Sequence, residues 1–138
     1  MEKVITTEVQ NISHKIAFIG LVMALYAPFV YGQGVATFYT VASCKREGTS
    51  GVFTASGERY IEGKMTCALR SRDFGGLYRV TNKANGRSVV VRHNDYGPGK
   101  GPTKRGVVID LSPASFDALG GRRGETWGEI NVSVERIK

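Results

Sequence analysis

Apolar and polar positions alternate with period two in several short stretches of the chain, the pattern of half-buried strands. Residues 35–39 (VATFY) place Val35, Thr37 and Tyr39 on one side and predict a first strand. Residues 77–82 (LYRVTN) alternate and predict a second, with Asn85-Gly86 supplying the left-handed positions of a tight hairpin turn. The return strand is expected over 88–92 (SVVVR), whose β-branched run predicts burial on both faces. Residues 107–111 (VVIDL) predict another buried strand, and 129–137 (EINVSVERI) a closing one. Ser112-Pro113 marks a helix start, Ser as N-cap and Pro at the first helical position, with Gly120-Gly121 as its stop. Residues 42–56 and 94–105 read as Gly-, Ser- and Pro-rich loops. Short strands and one short helix, with no long helical period between strands, predict an all-β barrel and exclude a doubly wound sheet.

The N-terminal segment follows another pattern. Residues 16–31 (IAFIGLVMALYAPFVY) carry no charge and follow Lys15. Sixteen residues are short for a spanning helix, which needs about 20, and suit the apolar part of a secretory leader. Val30 and Gly32 stand at −3 and −1 of a cut before Gln33; Gly34 and Ala36 offer a second cut, and an uncleaved anchor is the alternative. The expected organisation is therefore a leader over 1–32 and one domain over 33–138. The 138 residues carry 19 Lys and Arg against 12 Asp and Glu, a net charge of +7. The leader's lysines and glutamates cancel, so the whole excess lies on the exported part and implies an anionic partner. Export also bears on Cys44 and Cys67. An even pair in an oxidising compartment is expected to form a disulfide, closing a loop worth roughly 3 kcal/mol. A free thiol served by His93 is the alternative.

Few motifs carry chemistry. Residues 97–104 (GPGKGPTK) lack the spacing of a phosphate loop, and two prolines remove donors that such a loop needs. No zinc-protease motif, metal-ligand cluster or nucleic-acid-binding signature is present, so neither a cofactor nor a nucleic-acid partner is expected. The strongest local signal is Asn94-Asp95-Tyr96-Gly97-Pro98, a carboxylate where a strand hands over to a loop. An Asx-type turn is the bland alternative for Asp95, and a solvated surface role that for Glu58. Asp110, flanked by apolar residues, is expected to be a structural carboxylate satisfied by backbone donors.

Five ordered strings then resemble one family: Thr54-Ala55-Ser56-Gly57-Glu58, Tyr78-Arg79-Val80-Thr81-Asn82, Asn85-Gly86-Arg87-Ser88-Val89-Val90-Val91-Arg92, Asn94-Asp95-Tyr96-Gly97-Pro98 and Gly106-Val107-Val108-Ile109-Asp110-Leu111-Ser112. They resemble the rare lipoprotein A (RlpA) family over residues 36–137. The resemblance implies a six-stranded double-psi β-barrel and endolytic lytic transglycosylation of peptidoglycan strands, preferably those without stem peptides. By position Asp95 matches the family's catalytic aspartate and Glu58 the glutamate of its SGE motif. The chain departs at Thr66-Cys67-Ala68-Leu69, where Leu69 stands at a position the family often fills with histidine. The cysteine-containing version resembles short secreted members in which Cys44 and Cys67 are paired. The anchor cysteine and C-terminal glycan-binding repeat domain of larger members are not expected here.

The implied reaction protonates the leaving glycosidic oxygen and lets the sugar's own 6-hydroxyl close a 1,6-anhydro ring, so a single acid/base group suffices. Asp95 is expected in that role, with Glu58 raising its pKa or facing positive charge at the anomeric centre. Ser56, Arg92, Asn94 and Tyr96 are the expected substrate contacts, and Lys100, Lys104 and Arg105 the attractors of anionic wall polymer. The expected protein is an exported monomer, periplasmic or extracellular, with no stable membrane association once the leader is cleaved. Two other readings stay open at this stage: a non-catalytic wall-binding or wall-loosening barrel like expansins, and a secreted protein-binding barrel such as a protease inhibitor.

Overall fold

The computed structural model describes residues 30–49, 51–121 and 128–138. Six strands, β1 (Val30–Phe38), β2 (Thr66–Leu69), β3 (Leu77–Asn82), β4 (Ser88–Tyr96), β5 (Val107–Leu111) and β6 (Ile130–Arg136), close into a barrel in the order β1-β5-β2-β4-β3-β6. The β1/β5 and β2/β4 pairs are parallel and the others antiparallel. This mixed closed barrel agrees with the expected architecture. Its interior is filled by alternate residues of each strand, among them Ala36, Leu69, Val80, Val91, Ile109, Leu111, Val132 and Val134. Phe116 and Leu119 join the same core. Each buried Val, Leu, Ile or Phe side chain among them contributes roughly 1.5–3 kcal/mol through removal from water.

Strands β3 and β5 fall where the alternation places them, and so does a helix at Pro113–Ala118 capped by the Ser112 hydroxyl. Other expectations change. Two more short helices occur: α1 (Val41–Arg46), closed at its start by a reciprocal Thr40–Ser43 capping box, and α2 (Lys100–Lys104). The helix at Pro113–Ala118 is thus α3. Strand β2 has no alternation to announce it, because all four of its residues are buried. Strand β4 runs on to Tyr96, so the Asn94-Asp95-Tyr96 segment is strand and not loop. The β3–β4 connection is longer than a two-residue turn: the Asn82 amide donates to the Arg87 carbonyl, and Gly86, the connection's one glycine, turns left-handed at φ 73°.

The expected boundary at residue 33 falls inside β1, which begins three residues earlier at Val30. Val30 pairs with Glu135, and the ring of Tyr31 meets that of Tyr78 edge-on with centroids 5.3 Å apart. The leader itself, up to residue 29, lies outside the described residues. No helix among the described residues is long and apolar enough to cross a membrane.

Both cysteines are free thiols, contrary to the expected disulfide. Cys67 points into the barrel core, whereas Cys44 on α1 lines a groove outside it together with Ala68, the next residue of β2. Successive residues of a strand face opposite ways, so the two thiols stand on opposite sides of β2. Burial pushes the Cys67 thiol well above its ordinary value, which removes the reactive thiolate that a Cys–His reading needs.

One close approach fixes how β1 meets β5. A Cβ added at Gly34 would lie 2.6 Å from the Gly106 carbonyl oxygen and 2.7 Å from Val108 Cγ1. Backbone cannot yield as a side chain does, so Gly34→Ala is expected to destabilise the barrel by roughly 1–3 kcal/mol. Urea unfolding checks this, and an unchanged midpoint would show that the pair can open without cost.

Candidate active site

A β-bulge places the key carboxylate. Thr66 pairs with Arg92 and Cys67 with His93, but Ala68 pairs with Asp95, which leaves Asn94 as an extra residue on β4. Before the bulge the odd positions of β4 face inward, as the buried Val91 and His93 show. One inserted residue inverts that parity, so Asp95 faces outward into a groove instead of into the core. His93 anchors the bulge from inside. Its ring is fully buried beside Phe74 and Tyr78, with Nε2 2.9 Å from the Asp95 carbonyl oxygen and Nδ1 3.0 Å from that of Asp73.

Three donors converge on the Asp95 carboxylate. The Tyr39 hydroxyl donates to Oδ2 at 3.0 Å, and the backbone N–H groups of Ala55 and Tyr96 both donate to Oδ1 at 2.8 Å. Tyr39 is itself fixed by stacking on Tyr60, whose hydroxyl donates to the Tyr39 carbonyl. Burial first, then the neighbouring Asp95 charge, push the Tyr39 hydroxyl far above the ordinary tyrosine value and keep it a donor. The Ala55 N–H is aimed by the turn that Thr54-Ala55-Ser56-Gly57-Glu58 forms. Thr54 N donates to the Glu58 carbonyl, Gly57 takes φ 87°, and Ser56 N donates to the Asn94 carbonyl on the bulge.

Glu58 stands on the far side of that turn. Its carboxylate forms a two-pronged ion pair with the Arg92 guanidinium and accepts from Asn94 Nδ2 at 3.2 Å. Hydrogen bonding by Arg92 holds the Glu58 carboxyl down at about 2, with Asn94 assisting. Glu58 does not line the groove that Asp95 enters.

That groove has a volume of ≈ 410 Å³ and is walled by Tyr39, Cys44, Glu47, Phe53, Thr54, Ala55, Tyr60, Ala68, Tyr96 and Gly97 around Asp95 and Asp110. Three of its lining residues are acids, and none of the described ones is Lys or Arg. Cations gather at its rim, where the Arg72 and Arg70 guanidinium groups lie 5.1 and 5.7 Å from the Tyr96 ring centre. Phe53 is 62% exposed and Tyr96 42%, so both present ring surface to whatever enters.

Asp110 is not the backbone-satisfied structural carboxylate expected from its apolar flanks. Its cross-strand neighbour is Thr37 on β1, whose hydroxyl donates to Oδ1. Burial pushes the Asp110 carboxyl up to about 6. The Thr37 hydroxyl opposes that rise, and the charges of Glu47 and Asp95 add to it.

The structure thus brings Asp95 and Tyr96 into one groove and leaves other expected contacts outside it. Asn94 is only 3% exposed and serves the Glu58 ion pair. Arg92 is engaged by Glu58, and the Ser56 hydroxyl lies 2.9 Å from that of Thr54. Leu69 is fully buried in the core, so a histidine at that position would face the barrel interior. Tyr39, Thr37 and the Ala55 N–H escape sequence reading. The partial signal for Tyr39 and Thr37 is their shared face on the first strand, which puts their polar atoms in one row.

The two shifted carboxyls give opposite pH dependences. Folded Asp110 keeps its proton up to about 6, whereas the unfolded chain releases it near 3.8. The folded state binds more protons in that window, so stability falls as pH rises through it. Asp110→Asn removes the fall and is expected to be more stable than wild type above about pH 7, by on the order of 2 kcal/mol. Glu58 works the other way: its contribution is lost as pH falls from 4.5 toward about 2. Glu58→Gln is therefore expected to flatten the acid limb. Urea titrations across pH check both, and an Asp110→Asn curve parallel to wild type would refute the first.

A double-psi β-barrel family model described as lytic transglycolase matches residues 31–134. A Nostoc sp. protein named as a probable endolytic peptidoglycan transglycosylase RlpA is 50% identical over 88 residues, 64% of this chain and 22% of that protein. An endolytic peptidoglycan transglycosylase RlpA of Rickettsia typhi is 32% identical over 101 residues, 72% of this chain and 29% of that protein. The chain spans about a quarter of the length of these relatives. Among solved structures, the Streptomyces papain inhibitor shares the fold at a TM-score of 0.52 and 19% identity, covering 79% of this chain and 97% of that one. The family match runs across the barrel from β1 into β6, takes in the bulge, Asp95 and Asp110, and makes this chain an RlpA-like member of the lytic transglycolase family of double-psi β-barrels.

Proposed function

We propose that this chain cuts peptidoglycan glycan strands by lytic transglycosylation, at the groove that holds Asp95. The carrying observation is the convergence of Tyr39 and two backbone N–H groups on the Asp95 carboxylate, in an open groove edged by exposed aromatic rings. Such donors fix a carboxylate in place without rearrangement during reaction. The names of the relatives support peptidoglycan as the substrate class. Strands without stem peptides are the proposed form of that substrate, and action in the periplasm or outside the cell goes with it.

The groove's chemistry suits glycoside cleavage. As the bond to the leaving oxygen lengthens, positive charge develops at the anomeric carbon and ring oxygen. An acidic floor stabilises that charge, and Asp95 is one of the carboxylates on it. Glu58 acts as a positioning residue in this reading: it holds Arg92 and Asn94, and Asn94 is the bulge residue that turns Asp95 outward. The exposed rings of Phe53 and Tyr96 offer stacking surface for sugars, and the rim arginines draw an anionic polymer.

The test is product analysis. Peptidoglycan stripped of stem peptides by an amidase is incubated with wild type and with Asp95→Asn, and 1,6-anhydromuramic ends are counted by mass spectrometry. Wild type is expected to produce them, and Asp95→Asn to lose roughly 10²–10⁴-fold in rate. If neither protein yields anhydro ends while both sediment with the glycan, the chain is a binding barrel and the proposal fails.

A further inference from the structure

The proposed reaction needs a proton for the leaving oxygen, and the surroundings of Asp95 are arranged to donate to it. The groove holds a second aspartate in a different setting. Ala68 of β2 pairs with Asp95 on one side and with Asp110 on the other. Cross-strand partners project to the same face, so the two aspartates rise on either side of the Ala68 methyl group. Two strand spacings separate their backbones by about 10 Å. Between them lies a gap floored by one methyl group and edged by Gly97, whose added Cβ would meet Asp110 Oδ2 at 3.3 Å and Ala68 Cβ at 3.4 Å.

We propose that Asp110 is the proton donor and acceptor of this groove, with Asp95 as the fixed negative charge facing it across Ala68. This rests on the transglycosylase reading. Asp110 gives its proton to the glycosidic oxygen as the C1–O bond breaks. The resulting carboxylate then takes the proton of the 6-hydroxyl as O6 bonds to C1. The chain ends protonated as it began, no water is consumed, and nothing is oxidised or reduced.

The environments of the two carboxyls divide the roles. Asp95 accepts from three donors, whereas Asp110 meets the single Thr37 hydroxyl on its other oxygen and leaves Oδ2 at the gap. The titratable and charged groups that act on Asp110 or share its groove are Glu47 after α1, Asp95 on β4, the Cys67 thiol of β2, the Cys44 thiol and the hydroxyls of Tyr39, Tyr60 and Tyr96. None is a cation. Burial and the two acids raise the Asp110 carboxyl to about 6, so it holds a proton at mildly acidic pH, where an ordinary aspartate has lost it.

The experiment measures anhydro-end formation against pH for wild type, Asp95→Asn, Asp110→Asn and Thr37→Val, with glycan sedimentation and urea unfolding alongside. Asp110→Asn is expected to lose about 10³-fold or more in rate while it still sediments with glycan and unfolds cooperatively. The wild-type rate is expected to fall on the alkaline side of about 6. Thr37→Val, which removes the donor that favours the charged form, is expected to move that limb to higher pH. If Asp110→Asn stays within about tenfold of wild type while Asp95→Asn is inactive, or the limb does not move in Thr37→Val, Asp110 is not the proton carrier and the reaction reading survives. If wild type forms no anhydro ends, both fall together.

Discussion

One inserted residue governs the chemistry of this barrel. Without Asn94 as a bulge opposite β2, the inward parity of Val91 and His93 would carry Asp95 into the apolar interior. An unpaired carboxylate there would cost several kcal/mol and lose access to any ligand. The bulge holds because it is secured on three sides. His93 meets its backbone from the core, the Ser56 N–H donates to the Asn94 carbonyl from the turn, and Glu58 accepts from the Asn94 side chain. The Thr54-Ala55-Ser56-Gly57-Glu58 string therefore works mainly as a brace. It delivers one backbone N–H to Asp95 and one carboxylate to Arg92, and neither task requires Glu58 to touch a sugar.

The charge of the chain divides by location. The net charge of +7 favours encounter with an anionic polymer from a distance. The groove inverts that sign with three acids and, among the described residues, no lining cation. Attraction and chemistry thereby make opposite demands and are met in different places. In the proposed reaction the rim arginines beside Tyr96 would meet the polymer's anions, and the floor the cationic character of a breaking glycosidic bond. A strand or loop crowded with both signs would neutralise itself.

What the sequence reveals and what it hides follow one physical distinction. Strands β3 and β5 and helix α3 carry local signals, namely alternation and a Ser-Pro cap, and they form where those signals stand. Strand β2 is buried at all four positions and so has no period to read. The bulge is a property of pairing between strands distant in sequence, which leaves no mark in either one alone. Asp95 was legible from its place at a strand end. The apolar flanks of Asp110 correctly signalled burial, but sequence could not say that the burying wall is also a groove. The free state of Cys44 and Cys67 is likewise a matter of facing: counting cysteines cannot show that β2 separates them. Leu69 reads as a missing functional group and is found as ordinary core packing.

The first strand of the barrel is hydrogen-bonded to the last, from Val30 against Glu135 to Ala36 against Ile130. Closure therefore joins segments separated by nearly the whole domain, and loop-closure entropy delays such contacts until the rest of the chain is available. A chain emerging N-terminus first holds β1 with one long edge unsatisfied until β6 appears. The same architecture that leaves the finished barrel without open edges keeps the nascent one open, and ties its assembly to the arrival of its final residues.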